Sequence, residues 1–269
     1  MRGEGESWGA ITIVCGLSNG RGVAAGIDLK VKAEVELLEK DEVDLESFVL
    51  GKRVKIGVEL VESLRNFLRR RYEFRGGIKA RVFSEIPPER GLKSSSAVSN
   101  ALILAALDAI GEKVDSMEVL RASVLISKMA GITRTGALDD ASASLLGGIC
   151  AADSRKMEIL MRKEAPMLPV VLRIPEKRVP TSSVPDLSSS SGKFDELFSM
   201  VLSGRWTEAM ILNGYLMCSL LGYERRIIDE AISLGAIAAS VSGKGPSFAA
   251  ICDEPEKLLK WGEVVSRLR

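Results

Sequence analysis

The sequence predicts an α+β protein with two packed lobes. Hydrophobic patterns of period two and period 3.6 alternate through the first half of the chain. The second half is rich in helical patterns and closes on two short apolar segments around a Gly-Lys-Gly-Pro turn. The 269 residues, 46% of them hydrophobic, are enough to bury the cores of two modest domains. We therefore predict an N-terminal lobe over residues 1–155 and a C-terminal lobe over residues 156–269, parting within 152–167.

The elements of the first half follow from their periodicity. Residues 27–37 alternate between apolar and charged side chains, which is typical of a strand with one solvent-facing side. Residues 54–71 carry an apolar stripe at helical spacing, with arginines in the last turn. The predicted elements are a strand at 8–17, a Gly-rich turn at 18–26, a strand at 27–37, a helix at 54–71, a strand at 78–84, helices at 95–110 and 117–129, and a short helix that starts near Asp139 and stops at Gly147.

The second half is predicted to begin with a strand at 168–175. A loop rich in Ser and Pro follows at 180–193. The remaining elements are helices at 194–203, 205–221 and 224–234, strands at 237–242 and 247–252, and a final helix at 256–268.

Composition limits the possible partners and the compartment. The net charge of +1 gives no electrostatic reason to expect nucleic acid or an anionic membrane as a partner. No signal peptide or membrane-spanning run is recognisable, so we expect a soluble protein. The four cysteines lie far apart among apolar neighbours, which favours buried reduced thiols and a cytoplasmic location.

The chain contains no histidine. This excludes Ser-His-Asp and Cys-His nucleophile systems, zinc sites of the HExxH type and any histidine general base. Acid–base chemistry must therefore come from carboxylates, lysine, tyrosine or a metal-bound group.

The segment PPERGLKSSSAVSN at 87–100 resembles a phosphate-binding loop but is not a Walker A motif, because Leu92 separates Gly91 from Lys93. Gly91 allows close backbone approach, Lys93 adds a mobile cation, and the serines lie at a predicted helix N-terminus, which attracts anions. An ordinary Ser cap is the weaker interpretation. The predicted phosphate-contacting residues are Ile86, Pro87, Pro88, Glu89, Arg90, Gly91, Leu92, Lys93, Ser94, Ser95, Ser96 and Ala97.

Three further segments are ambiguous when each is taken alone. Asp139 and Asp140 are the best candidates for a general base or a Mg²⁺ ligand, although helix capping with dipole compensation is the better explanation of such a pair taken alone. The turn Ser242–Ser247 is either a plain tight turn or a glycine-backed wall against a ligand. The Gly-rich turn at 18–26 offers Ser18, Asn19 and Arg21 as polar contacts.

The order of these motifs resembles that of the GHMP kinase superfamily, whose members phosphorylate small-molecule hydroxyls with ATP. The motifs are GLKSSSAVSNA at 91–101, TGALDDASASLLGGI at 135–149, LNGYL at 212–216 with LGY at 221–223, SGKGPSFAAI at 242–251, and GAITIV with GIDLKV near the start. They cover essentially the whole chain. Within the superfamily they most resemble the archaeal shikimate kinase family.

The resemblance implies the GHMP kinase fold, with a mixed sheet and helices in the N-terminal lobe and a ferredoxin-like C-terminal lobe. It places ATP between the lobes, with its phosphates over residues 87–97. It also implies catalytic roles for Asp140, Asp139 and Lys93, with Asp140 favoured to orient or deprotonate the attacking hydroxyl. Mg²⁺ is expected as a cofactor, with Ser95, Ser96 and Asp139 as its candidate ligands.

Two departures from the family pattern stand out. Lys93 occupies the place of the third glycine of the usual GLGSS motif, as suits the shikimate branch. Relatives such as mevalonate kinase also carry a Mg²⁺-binding Glu about a dozen residues before the catalytic Asp. In this chain residues 119–138, where that Glu would lie, contain no Glu or Asp, so the resemblance does not identify a Glu ligand for the metal.

Shikimate carries one carboxylate and three hydroxyls, so its site needs a cation and several hydrogen-bonding groups. Arg134 is the first candidate for the cation, followed by Arg21, Lys244 and Arg178. The predicted substrate-binding residues are Ser18, Asn19, Arg21, Thr133, Arg134, Thr135, Asp140, Ser242, Gly243, Lys244 and Gly245. The resemblance thus implies phosphorylation of the shikimate 3-hydroxyl, in chorismate and aromatic amino-acid synthesis. A kinase for homoserine or mevalonate, and a catalytically silent sensor with this fold, are the alternatives.

Overall fold

The computed structural model describes residues 1–55, 57–133, 136–177, 179 and 184–269. Within these ranges, 3-10 helices lie at Ser188–Ser190 and Pro255–Leu258. The strands are β1 (Arg2–Val14), β2 (Arg21–Leu38), β3 (Val43–Val49), β4 (Lys52–Val54), β5 (Gly77–Ser84), β6 (Ile149–Asp153), β7 (Glu158–Lys163), β8 (Pro169–Arg173), β9 (Ala236–Val241), β10 (Phe248–Cys252) and β11 (Val264–Arg267). The helices are α1 (Glu59–Tyr72), α2 (Ser94–Ile110), α3 (Ser116–Met129), α4 (Leu138–Leu146), α5 (Ser191–Leu202), α6 (Trp206–Leu221) and α7 (Arg226–Ser233).

The N-terminal lobe is built on a mixed seven-stranded sheet. Its strands follow the order β4-β3-β5-β2-β6-β7, and β1 pairs with β2 outside this path. The β3–β5 pair is parallel and the other pairs are antiparallel. The alternation predicted for 27–37 lies within β2, where Val31, Ala33 and Val35 are buried. Helices α2 and α4 pack against β1 and β2, so the sheet supports both candidate site segments.

The C-terminal lobe has the predicted ferredoxin-like topology. Its antiparallel sheet has the order β11-β8-β10-β9, which is the 4-1-3-2 order of a split βαβ fold. Helices α5, α6 and α7 connect the first two strands, β8 and β9. The 3-10 helix Pro255–Leu258 takes the place of the second crossover helix. A continuous buried apolar cluster joins the two lobes, with Ile11 and Leu102 on one side and Phe194 and Phe248 on the other.

Several element predictions were wrong. The helix predicted at 256–268 is a 3-10 helix followed by β11, because Val264–Arg267 pairs with β8 and forms the edge of the sheet. The helix predicted from residue 54 begins at Glu59, since Val54 ends the short strand β4. Gly22 and Gly26, assigned to a turn, lie inside β2.

Strands β3, β4, β6 and β7 were not predicted. Because β7 pairs with β6, the first sheet extends to Lys163, past the boundary predicted at residue 155. The limits of α2 and α3, and the end of α4 at Gly147, agree with the predictions. Within the described ranges, no helix combines the length and apolar content needed to cross a bilayer. The four cysteines are buried and free.

Candidate active site

The N-terminus of α2 is shaped to receive an anion. Lys93 precedes the helix in the left-handed conformation, at φ 64°, and no side chain caps the helix. The first helical hydrogen bond runs from the Ala97 N–H to the Lys93 carbonyl at 3.1 Å, so the N–H groups of Ser94–Ser96 have no acceptor within the helix. The first turn carries no acidic residue. Free N–H groups and the helix dipole therefore favour negative charge here.

The turn Ser242–Ser247 packs directly on the loop that leads into α2. The Ser242 hydroxyl donates to the Gly91 carbonyl at 2.8 Å, and the Ser247 N–H donates to the Arg90 carbonyl at 3.3 Å. Gly91 has φ +83°, and a Cβ there would lie 2.1 Å from the Ser242 carbonyl oxygen. Only glycine fits between the two segments. The C-terminal lobe thus closes one side of the predicted phosphate loop.

Asp139 and Asp140 occupy the first turn of α4. Asp139 is buried at 5% exposure, and its Oδ2 would lie 2.0 Å from a Cβ on Gly22, so β2 must carry glycine where this carboxylate packs. Asp140 lies nearer the surface, with Oδ1 3.0 Å from the Lys93 Nζ. The start of α4 therefore meets the start of α2 through a buried ion pair.

The electrostatics of this cluster follow from its burial. Burial raises the pKa of Asp139 to about 8, and the charge of Asp140 adds to this effect. Burial alone lowers the pKa of Lys93, but the charges of Asp140 and Asp139 outweigh it, so the net direction is upward. Near neutral pH, Lys93 is thus charged and Asp139 is largely protonated. Cys15, close by, has its pKa raised by burial to about 11 and is a neutral thiol.

These groups face a cavity of about 550 Å³. One end is polar and lies between the starts of α2 and α4 and the turn after β9. The other end is apolar and is formed by β3, β5 and α1, including Leu45, Phe48 and Leu60. Such a cavity, mostly apolar with a few convergent polar groups, is typical of a small-molecule site.

The structure brings many of the predicted site residues together. Those that line the cavity are Ile86, Pro88, Glu89, Gly91, Lys93, Ser94, Ser95, Ser96, Thr133, Asp139, Asp140, Gly243 and Lys244. Pro87, Arg90, Leu92, Ala97, Ser242 and Gly245 support the loop or the turn without lining the cavity. Leu92 is buried, and its carbonyl accepts the Ala10 N–H at 3.4 Å. Arg134, Thr135 and Arg178 lie outside the described residues.

The β1–β2 turn departs from its predicted role. Ser18, Asn19 and Arg21 do not line the cavity. Arg21 pairs with Asp153 and with Asp195 of α5, both at 3.3 Å, and Asn19 donates to Asp195 at 2.9 Å. Arg21 is thus neutralised by two carboxylates and ties the turn to β6 and α5.

Sequence reasoning missed part of the cavity wall. The end of β1 contributes Thr12, and Cys15 and Gly16 follow it. The apolar end was missed because β3 was not predicted. On α3, the described residues that line the cavity include Ser123 and Ser127 and no carboxylate. The lack of Glu and Asp at 119–138 in the sequence therefore means that the described part of α3 presents no carboxylate to the cavity.

Together, the two-lobed fold and a helix N-terminus that favours an anion, facing a small-molecule cavity, indicate an enzyme of the small-molecule kinase class. Residues 59–148 match the family described as GHMP kinases N terminal domain, and residues 225–263 match GHMP kinases C terminal. The chain belongs to the GHMP kinase family. It is an ATP-dependent kinase with an alcohol acceptor.

Within that family the chain is similar to shikimate kinases. It is 39% identical to the shikimate kinase of Pyrococcus abyssi, over 99% of this chain and 98% of the relative. It is 37% identical to that of Methanosarcina mazei, over 93% and 85%.

Solved structures share the fold at low identity. The homoserine kinase of Cytophaga hutchinsonii superposes with a TM-score of 0.73 at 19% identity, covering 97% of this chain and 88% of that chain. The mevalonate diphosphate decarboxylase of Enterococcus faecalis gives 0.74 at 13%, covering 99% and 96%. At these identities the likeness concerns the fold alone.

Proposed function

We propose that this kinase transfers the γ-phosphoryl group of ATP to the 3-hydroxyl of shikimate, giving shikimate 3-phosphate and ADP. The observation that carries the choice of acceptor is the similarity to shikimate kinases along almost the full length of both chains. The product serves chorismate and aromatic amino-acid synthesis. The four buried free cysteines support a cytoplasmic location, and ATP and shikimate are the proposed partners.

In this proposal the phosphates of ATP lie against the start of α2. The N–H groups of Ser94–Ser96 and the helix dipole neutralise phosphate charge, and Lys93 adds a cation at the same point. The turn containing Gly243 and Lys244 closes over the phosphates from the C-terminal lobe. The apolar end of the cavity remains for the purine base.

Asp140 is the proposed acceptor of the hydroxyl proton. Its carboxylate lies in the cavity wall and is held 3.0 Å from the Lys93 Nζ, beside the start of α2. A hydroxyl bound against Asp140 therefore lies next to the proposed γ-phosphate position, as in-line transfer requires. Asp139, with a pKa near 8, stays protonated behind it and limits the negative charge near the incoming phosphates.

The residues present suit Mg²⁺ bound together with ATP. Among the described residues, no cluster of three or more metal-ligating side chains exists. Mg²⁺ in kinases is commonly held by one or two protein oxygens and the phosphates. Ser95 and Ser96 would offer hydroxyl oxygens, and Asp139 would offer a carboxylate oxygen in its ionised form, which a nearby cation favours. When bound, the ion neutralises charge that develops on the phosphoryl oxygens.

Shikimate also requires a partner for its carboxylate. Among the described cavity-lining residues, Lys93 and Lys244 are the cations, and Lys93 lies at the start of α2, where the phosphates are proposed to bind. We therefore assign the carboxylate to Lys244, on the turn that faces this helix start. Burial lowers the pKa of Lys244, and a bound carboxylate compensates for that burial.

The test is ADP release in the presence of ATP and Mg²⁺, with shikimate, homoserine and mevalonate offered separately. We expect turnover with shikimate. Turnover with homoserine or mevalonate alone would overturn the acceptor assignment. Tight ATP binding with no turnover on any acceptor would indicate a silent sensor instead.

A further inference from the structure

The first turn of helix α4 is held by two side chains that belong to other elements. The Ser154 hydroxyl, just after β6, accepts the Leu138 N–H at 2.9 Å. The Asn100 amide, on α2, donates to the Ala141 carbonyl at 2.9 Å. The two hydrogen bonds fall immediately before and immediately after Asp139–Asp140. The turn that carries the carboxylates is therefore fixed at both ends.

Asn100 connects the two halves of the site. It lies on α2, the helix whose first turn is the proposed phosphate site, and it is completely buried. The Ala141 carbonyl can only accept, which fixes the orientation of the Asn100 amide. The same nitrogen lies 3.4 Å from the Ser7 hydroxyl, which in turn donates to the Ser144 carbonyl at 3.0 Å. Both routes run from α2 to α4.

Ser154 anchors the other end of the turn. It is buried, and its backbone N–H donates to the Gly20 carbonyl at 2.8 Å, so it also holds the β1–β2 turn. Ala137, in the N-cap position of α4, is left-handed and provides no side-chain cap of its own. Ser154 supplies an acceptor for the Leu138 N–H in the first turn of α4.

Packing alone does not account for Asn100. Its Oδ1 is buried without a hydrogen-bond partner among the residues that the structure describes, and so is the Ser144 hydroxyl of α4. A buried polar atom without a partner lowers stability, and an apolar side chain would avoid this penalty. The role of the polar contact is thus to fix the position of α4 relative to α2.

We infer that Asn100 and Ser154 are positioning residues for phosphoryl transfer, which set the Asp140 carboxylate at its working distance from the phosphate site on α2. This inference rests on the proposed function. Neither side chain lines the cavity, so both act through the backbone of α4. Loss of either hydrogen bond displaces Asp140 and leaves the residues that contact ATP in place.

The first experiment compares Asn100→Ala with Ser99→Ala. Ser99 is the adjacent buried residue of α2, and its hydroxyl lies 2.7 Å from that of Ser127 on α3, away from α4. For Asn100→Ala we expect kcat to fall by on the order of 10- to 100-fold, since small misplacements of reacting groups have effects of this size. The KM for ATP should stay within about twofold. Ser99→Ala should keep wild-type kcat at a similar loss of thermal stability.

The second experiment compares Ser154→Ala with Ser154→Thr. Threonine keeps an acceptor for the Leu138 N–H, so we expect it to restore most of the kcat that alanine loses. If Asn100→Ala does not fold, the comparison of Ser154→Ala with Ser154→Thr tests the inference by itself.

Three outcomes would overturn the inference: wild-type kcat in Asn100→Ala, an equal loss of kcat in Ser99→Ala, or a KM for ATP that rises as kcat falls. Failure of the proposed function would be distinct, because the wild-type protein itself would then not phosphorylate shikimate.

Discussion

The buried Asp139 carboxylate should make the stability of the protein depend on pH in a range where few other groups titrate. The chain has no histidine, and burial raises the pKa values of Cys15, Cys150, Cys218 and Cys252 to about 11 or 12. Asp139 has a folded-state pKa of about 8, whereas an exposed Asp has a pKa of about 3.9. Between these values the folded state binds one proton more than the unfolded state.

The sign and size of the effect follow from linkage. A pKa raised by folding contributes stability that is present at low pH and lost as the pH rises toward the folded-state pKa. The unfolding free energy should therefore fall by up to about 1.4 kcal/mol per pH unit below pH 8. Between pH 6 and 7.5 the expected loss is about 2 kcal/mol, and above pH 8 the dependence on Asp139 ends.

The assay is urea denaturation of the ligand-free protein at pH 6.0, 6.5, 7.0 and 7.5, followed by circular dichroism. Asp139→Asn is the matched control, because it keeps the shape of the side chain and cannot titrate. We expect the wild-type slope to disappear in this variant. Equal slopes in the two proteins, or a wild type whose stability rises over this range, would refute the assignment of a raised pKa to Asp139.

The remaining predictions concern the ion pair, the base, the packing of Asp139 and the substrate cation. Lys93→Met should lower the unfolding free energy by about 3–5 kcal/mol. The loss should exceed that of Asp140→Asn, because removing the Asp140 charge favours ionisation of Asp139, which then compensates Lys93; additive effects in the double variant would refute the pair. Asp140→Asn should lower kcat by about 10²–10⁴-fold at unchanged ATP affinity by calorimetry, and lost ATP binding would contradict its role. Gly22→Ala should impair both folding and kcat, since its Cβ would lie 2.0 Å from Asp139 Oδ2; wild-type melting and turnover would contradict this packing. Lys244→Met should raise the KM for shikimate more than that for ATP in steady-state kinetics, and the reverse order would assign Lys244 to the phosphates.

The loop at 87–93 and the start of α2 could be predicted because their signal is local. A glycine, a lysine and three serines before an apolar helical run specify a turn and a helix start within a few residues. The same holds for α4, whose carboxylates and terminal glycines are adjacent in sequence. Local chemistry also identified Ser242–Ser247 as a turn.

Arg21 shows where local reasoning fails. In the sequence it is an unpaired cation in a Gly-rich turn, and so a candidate for a carboxylate ligand. In the fold Asp153 and Asp195 neutralise it, and these residues lie 132 and 174 positions further along the chain. Strand β11 was mispredicted for a related reason, since its conformation depends on pairing with the distant strand β8. The sequence around a residue gives no information about partners that lie so far along the chain.

The conformation of Lys93 depends both on its own backbone and on residues distant in the sequence. Its φ of 64° is a conformation that glycine adopts freely and that costs a residue with a Cβ roughly 1–2 kcal/mol. A glycine at this position would ease the backbone but would leave Asp139 and Asp140 without a cation between them and the phosphate site. The ammonium reaches Asp140 because the left-handed backbone and the start of α4 converge on one side of the cavity. Strain at Lys93 is therefore the consequence of placing a cation between the Asp140 carboxylate and the proposed phosphate site, and we attribute it to the chemistry of the site rather than to folding.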